Sequence, residues 1–216
     1  MTRIRSITRS PILPRAAFAL STATAGVALA LAVGAPIWIV GVVGLAPWLP
    51  LLSAAVVTTR QESDAWLAFY LALAVTQTAH VGEHVVQITQ LHVFGLTGER
   101  AHGVFGALDI EWVHFTWNAW ILVAVATLLV PFRANPWLWL TLPLAAWHLG
   151  EHVVMLAAYL TTGVEGSPGL LAMGGALGGG LPLARPDLHL AYNLAETLPL
   201  LIGLGWQWRR TGRRRV

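Results

Sequence analysis

The feature that most constrains this chain is a polar motif written twice inside apolar runs. His80-Val81-Gly82-Glu83-His84-Val85-Val86 recurs as His148-Leu149-Gly150-Glu151-His152-Val153-Val154. Each copy is followed by a second element: His114-Phe115-Thr116-Trp117-Asn118 after the first, His189-Leu190-Ala191-Tyr192-Asn193 after the second. Six of the eight histidines fall in these four places. At about 100° per residue, His80, Glu83, His84 and Gln87 share one face of a helix, and His148, Glu151, His152 and Met155 share the equivalent face of another. Glu111, His114 and Asn118 make a third stripe, and His189, Asn193 and Glu196 a fourth. Four polar stripes on otherwise apolar helices can converge only inside a bundle.

The surroundings set the class. Of the 216 residues 56% are hydrophobic and 11% charged, where a soluble domain has about a quarter charged. The expectation is an all-α, polytopic membrane protein. The absence of cysteine removes disulfides, thiolate metal sites and iron–sulfur clusters. The basic residues are all arginine, so a lysine Schiff base is excluded. The net charge of +3 comes from arginines at the chain ends, with no basic face interleaved with aromatics, so no nucleic-acid partner is expected.

Six spans are expected. The run from Ala16 to Val57 is too long for one span of about 20 residues, and Ala35-Pro36 breaks it into helices over 16–34 and 37–57. The first of these is long for a signal-peptide core, and Pro36 sits where cleavage would follow, so it is expected to remain as a span. Further helices are expected over 65–93, 109–131, 137–161 and 187–208. Ser63 or Asp64 suits an N-cap of the third, Asp109 of the fourth, and Asp187 of the sixth. The chain divides into a basic flank and scaffold helix pair (1–64), a first hairpin repeat (65–133), a second (134–208) and a basic tail (209–216). The two hairpins are expected to be parallel repeats forming a core four-helix bundle. With both termini cytoplasmic, Arg3, Arg5, Arg9, Arg15, Arg60, Arg133, Arg209, Arg210, Arg213, Arg214 and Arg215 lie inside, and only Arg100 and Arg185 lie outside. Trp66, Trp137, Trp139, Trp206 and Trp208 then fall at the cytoplasmic interface of a bacterial-type inner membrane, and the motifs fall in its outer half.

A charged carboxylate at membrane depth costs about 2.5–3.5 kcal/mol even on the lenient insertion scale. Glu83, Glu111, Glu151 and Glu196 therefore need neutralising, and no lysine or arginine is expected at their level. Imidazoles beside carboxylates form a usual donor set for transition metals, and bundle cores with His and Glu on facing helices hold dinuclear sites. A lone intramembrane histidine often serves only as an interhelical hydrogen-bond donor. A repeated set with matched spacing and depth goes beyond that. The expected ligands are His80, Glu83, His84 and His114 in one half and His148, Glu151, His152 and His189 in the other, holding a single ion or a pair, one per half, about 3.5–4 Å apart. Glu83, Glu151, Glu111 and Glu196 are the candidate catalytic carboxylates. Asn118, Asn193 and Gln87 are expected behind the ligands. His92 and His102 lack repeat partners and read as surface or mouth residues. The halves also differ: Glu111 has Pro186 as its counterpart, and Glu196 has Ile121.

His-x-x-Glu-His resembles the inverted zinc-protease signature, in which two histidines bind zinc and the glutamate is a general base. The resemblance covers five residues, and the shared element is chelation by His at i and i+4. The function expected is a membrane oxidoreductase with Fe or Cu ahead of Zn or Mn, one or two ions per chain. Its substrate would be a small lipophilic molecule or a quinol, and assembly into a homo- or hetero-oligomer is left open. The alternatives are a metal-ion transporter or metal-handling protein, a zinc-dependent membrane hydrolase, and a di-haem cytochrome. Haem ranks lower because it does not account for Glu83 and Glu151 beside their histidines.

Overall fold

The structure is a computed structural model that describes residues 12–50, 63–97, 100–106 and 110–213. The described residues form six α-helices: α1 (Ile12–Ala32), α2 (Ile37–Leu45), α3 (Ser63–His92), α4 (Glu111–Leu129), α5 (Pro136–Thr162) and α6 (Arg185–Arg213). There is no strand among them, and an isolated antiparallel bridge joins Gly175 and Gly179. All six helices were expected. The expected second helix over 37–57 is interrupted: α2 ends at Leu45 and tightens into a 3-10 turn over Ala46–Trp48, where Pro47 withholds an N–H from the ladder, and Leu49 and Pro50 are helical again. Residues 51–57 lie outside the described residues, as do Asp109 and the side chains of Ser63 and Asp64, the expected caps.

The chain falls into two compact units, Met1–Ala72 and Leu73–Val216, with the boundary inside α3. In the first unit α1 packs on α2 and on the turn that follows it, and Ala19, Trp48 and Ala72 form a small buried cluster. The second unit holds the later part of α3 with α4, α5 and α6, and all of the repeated motif.

Two local devices set the second unit. Asn135 caps α5: its Oδ1 accepts the Trp137 N–H at 3.1 Å, while its Nδ2 donates to the Gly203 carbonyl of α6 at 2.9 Å. Pro136 follows at the first helical position, where its missing N–H is harmless. The short turn between α4 and α5 makes them antiparallel neighbours. The second device is a change of character along one helix face. On α4 the buried residues run Glu111, His114, Asn118 and then Ile121, Val125, Leu128. On α5 they run Leu138, Thr141, Ala145 and then His148, Glu151, His152. Antiparallel packing puts both polar halves at the same end of the unit, which is why the motifs meet.

The loop over 163–184 is glycine-rich, as the sequence implies, but it is ordered by its own backbone. Met173 N–H donates to Leu183 O, Ala176 N–H to Gly169 O, and Leu181 N–H to Leu171 O, at 2.7–3.0 Å. α6 starts at Arg185, two residues before its expected start. Asp187 therefore lies within the first turn instead of capping it, and its carboxylate takes His92 at 2.7 Å.

Among the described residues one helix, Glu111–Leu129, is long and apolar enough to cross a membrane.

Candidate metal centre

The six motif histidines form one cluster. His84 Nε2 lies 3.2 Å from His80 Nε2 and 3.4 Å from His114 Nε2. His152 Nε2 lies 3.3 Å from His148 Nε2. His189 joins both halves, with ring centroids 4.6 Å from His84 and 4.6 Å from His152. All but His80 are buried. Two groups of ring nitrogens lie within 4.8 Å of one another: His80, His84, His114 and His189 in one, His148, His152 and His189 in the other. These histidines can hold a metal ion. The expected division into three per half is not what the geometry shows, because His189 reaches both groups.

The tautomers and spacing fit metal binding. Gln87 donates its amide N–H to the Ala101 carbonyl, so its Oε1 faces His84 and accepts the Nδ1–H at 3.2 Å. That leaves the His84 Nε2 lone pair aimed at His80 and His114. His148 Nδ1 lies 3.0 Å from Glu196 Oε1. A proton there likewise frees Nε2, and the carboxylate fixes the orientation of the ring. Four nitrogens about 2.05 Å from a tetrahedral ion stand about 3.3 Å from each other, and the three Nε2 pairs above fall on either side of that value. Outer partners are incomplete, since Nδ1 of His114 and Nδ1 of His152 are buried without one.

The carboxylates are placed differently from expectation. Neither donor group contains one. Glu83 Oε1 accepts the Phe105 N–H at 2.8 Å. Glu151 accepts the N–H groups of Leu170 at 2.6 Å and Leu171 at 3.1 Å, and the Tyr192 hydroxyl at 2.9 Å. In both repeats the motif glutamate, expected as a ligand, instead ties down the loop that leaves its own helix. A glycine makes room each time: Gly103 and Gly169 have φ of +81° and +68°, and a Cβ on either would collide with the carboxylate. Glu111 pairs with Arg185 at 2.8 Å. This corrects the expectation that no basic side chain lies at this level: α4 and α6 begin at the same end of the unit, so their first residues meet. Of the four candidate catalytic carboxylates, Glu196 is the one that pairs with a cluster imidazole, His148, while Glu83, Glu111 and Glu151 are taken up by the partners above.

Asn118 and Asn193 match each other without touching the rings in the same way as Gln87. Asn118 donates to the His114 carbonyl at 2.9 Å and Asn193 to the His189 carbonyl at 3.0 Å. Asn193 Oδ1 also accepts from Gln77, whose own Oε1 accepts from Trp117. Gln77, Trp117, Tyr192 and Arg185 were not singled out in the sequence. Gln77 was legible, one turn before His80 on the same stripe. Trp117 and Tyr192 were legible as an aromatic pair at the same place in the repeat; they sit against His80 and His148, with centroids 5.3 and 5.2 Å away. Arg185 had a weaker signal: the arginine distribution puts it on the outer side, toward which the motifs lie. His92 is exposed, in keeping with a surface role, and its side chain is 58% accessible.

No protein-family model matches this chain, and no curated protein or solved structure matches it.

Proposed function

We propose that this chain is a six-span integral-membrane metalloprotein with both ends cytoplasmic. Its histidine cluster holds one or two transition-metal ions, and it acts as an oxidoreductase on a small lipophilic substrate or quinol. The observation that carries the metal reading is the set of Nε2 pairs at 3.2, 3.3 and 3.4 Å, with His84 and His148 oriented from behind.

The membrane reading draws on the inverted distribution of polarity. Val123, Trp147, Val153, Leu160, Leu198 and Ile202 are exposed, while Gln77, Asn118, His148, Glu151, His152, Asn193 and Glu196 are buried. Water disfavours that arrangement and lipid accepts it. Buried polar groups inside such a bundle mark function more often than packing.

Donor groups made only of imidazole suit Cu, Fe, Zn or Ni ahead of Mn. Copper or iron would supply the one-electron chemistry that no side chain here offers. The protein's own part is to bury the imidazoles, fix His84 through Gln87 and His148 through Glu196, and hold the two loops on Glu83 and Glu151. Those two carboxylates are occupied by backbone N–H groups, so they are poorly placed as the general base a hydrolase needs. A transporter needs a polar route onward, whereas Ile121, Val125 and Leu128 fill that direction on α4.

The test is elemental analysis and an optical spectrum of protein purified in detergent without chelator. Copper or iron at one or two per chain, without haem absorption, is expected. The double variant His84→Ala/His152→Ala should insert yet lose the metal. A native protein that contains none refutes the proposal.

A further inference from the structure

The two donor groups are unequal, and the inequality assigns different work to each. His80, His84, His114 and His189 make four imidazoles; His148, His152 and His189 make three. His189 stands between them, its ring centroid 4.6–4.9 Å from those of His84, His114, His148 and His152. Its ring is steeply inclined to those of His114, His148 and His152, at interplanar angles of 86°, 69° and 75°, so it stacks on none of the three. Its Nε2 is buried and has no hydrogen-bond partner, a costly arrangement for a polar atom unless something binds it.

We infer that the cluster is a centre of two unlike ions joined through His189, one closed by four imidazoles and one open, with its free position on the His148/His152 side. This rests on the metal reading above. Four-coordinate sites filled by protein are structural or relay electrons, whereas sites with three protein ligands keep a place for water or substrate. Bridging makes His189 an imidazolate, its ring proton leaving to solvent as the second ion binds; two metal–nitrogen bonds of about 2 Å at either end of a ring whose nitrogens are about 2.2 Å apart then set the ions about 6 Å apart. That is wider than the 3.5–4 Å of an oxygen-bridged pair, consistent with donor groups that contain no carboxylate.

The surroundings are unequal in the same sense. On the three-imidazole side His148 is backed by Glu196 and flanked by Tyr192, whose hydroxyl donates to Glu151. On the four-imidazole side the counterparts are Ile121 and Trp117, which offer no carboxylate and no hydroxyl. The free position therefore lies beside the groups able to orient a small polar ligand.

The test uses full-length protein in detergent, stripped with chelator and reloaded with Co²⁺, whose visible bands report coordination number. Azide is the probe for a free position. Wild type should take up two Co²⁺ and show an azide-dependent change. His80→Ala/His84→Ala should take up one that still responds to azide, and His148→Ala/His152→Ala one that does not. His189→Ala should remove the open site and leave a three-imidazole ion that has gained the response. His84→Gln and His152→Gln provide the same contrast where a double variant fails to insert. Two ions with the azide response on the four-imidazole side, or on both sides alike, overturn the division alone, as does saturation at a single ion. No uptake of any metal overturns the metal centre itself.

Discussion

Glu151→Gln separates a loop anchor from a metal ligand. The carboxylate is 2% exposed and accepts three hydrogen bonds, from Leu170 N–H, Leu171 N–H and the Tyr192 hydroxyl. Glutamine keeps the volume but turns one acceptor oxygen into a donor. With the amide oxygen toward Leu171 and Tyr192, the Leu170 N–H faces an NH₂ group. A buried hydrogen bond to a charged group contributes about 1.5–3 kcal/mol and a neutral one about 1 kcal/mol. One charged bond is lost, at about 1.5–3 kcal/mol, and two fall to the neutral value, at about 0.5–2 kcal/mol each, so the anchorage weakens by about 2.5–7 kcal/mol. Hydrogen exchange at the Leu170 and Leu171 amides should then speed up on the order of 100-fold or more. Mass-spectrometric exchange over 163–184 reads this, with metal content measured on the same sample. Metal content should hold. Loss of metal with 163–184 still protected would show that Glu151 is a ligand after all. Glu83→Gln should give a smaller loop effect, about 1–2 kcal/mol, because Glu83 holds one backbone N–H in place of two.

Gly103→Ala and Gly169→Ala should each destabilise their loop by about 1–3 kcal/mol, through positive φ and collision with the glutamate. Gly82→Ala and Gly150→Ala, within the motif helices and with nothing within 4 Å, should be neutral or stabilising by about 0.5–1 kcal/mol in thermal unfolding; equal effects at all four positions would contradict the anchoring geometry. Glu196→Gln should weaken metal binding about 10- to 100-fold by taking the carboxylate from His148 Nδ1, read by chelator competition; unchanged affinity would place His148 outside the ligand set. A reporter fused after Val216 should read as cytoplasmic, and an external signal would refute the six-span orientation.

What the sequence determined by itself is local in origin. Apolar runs punctuated by Pro36, Pro131 and Pro136 specify helices, because helix formation depends on neighbours a few residues apart. The spacing of His80 and His84, and of His148 and His152, puts each pair on one face whatever the tertiary fold. The repeat adds the inference that the four stripes meet. Charge alone misled, however, about Glu83 and Glu151. Their partners are the N–H groups of Phe105, Leu170 and Leu171, up to 22 residues away, and a backbone donor carries no sequence signal. Arg185 reaches Glu111 across 74 positions because two helices begin at the same end of the unit. His189 belongs to both donor groups for a similar reason: α6 brings it against α3, α4 and α5 at once. Loop closure and helix packing decide such contacts, and only the tertiary structure shows where they fall.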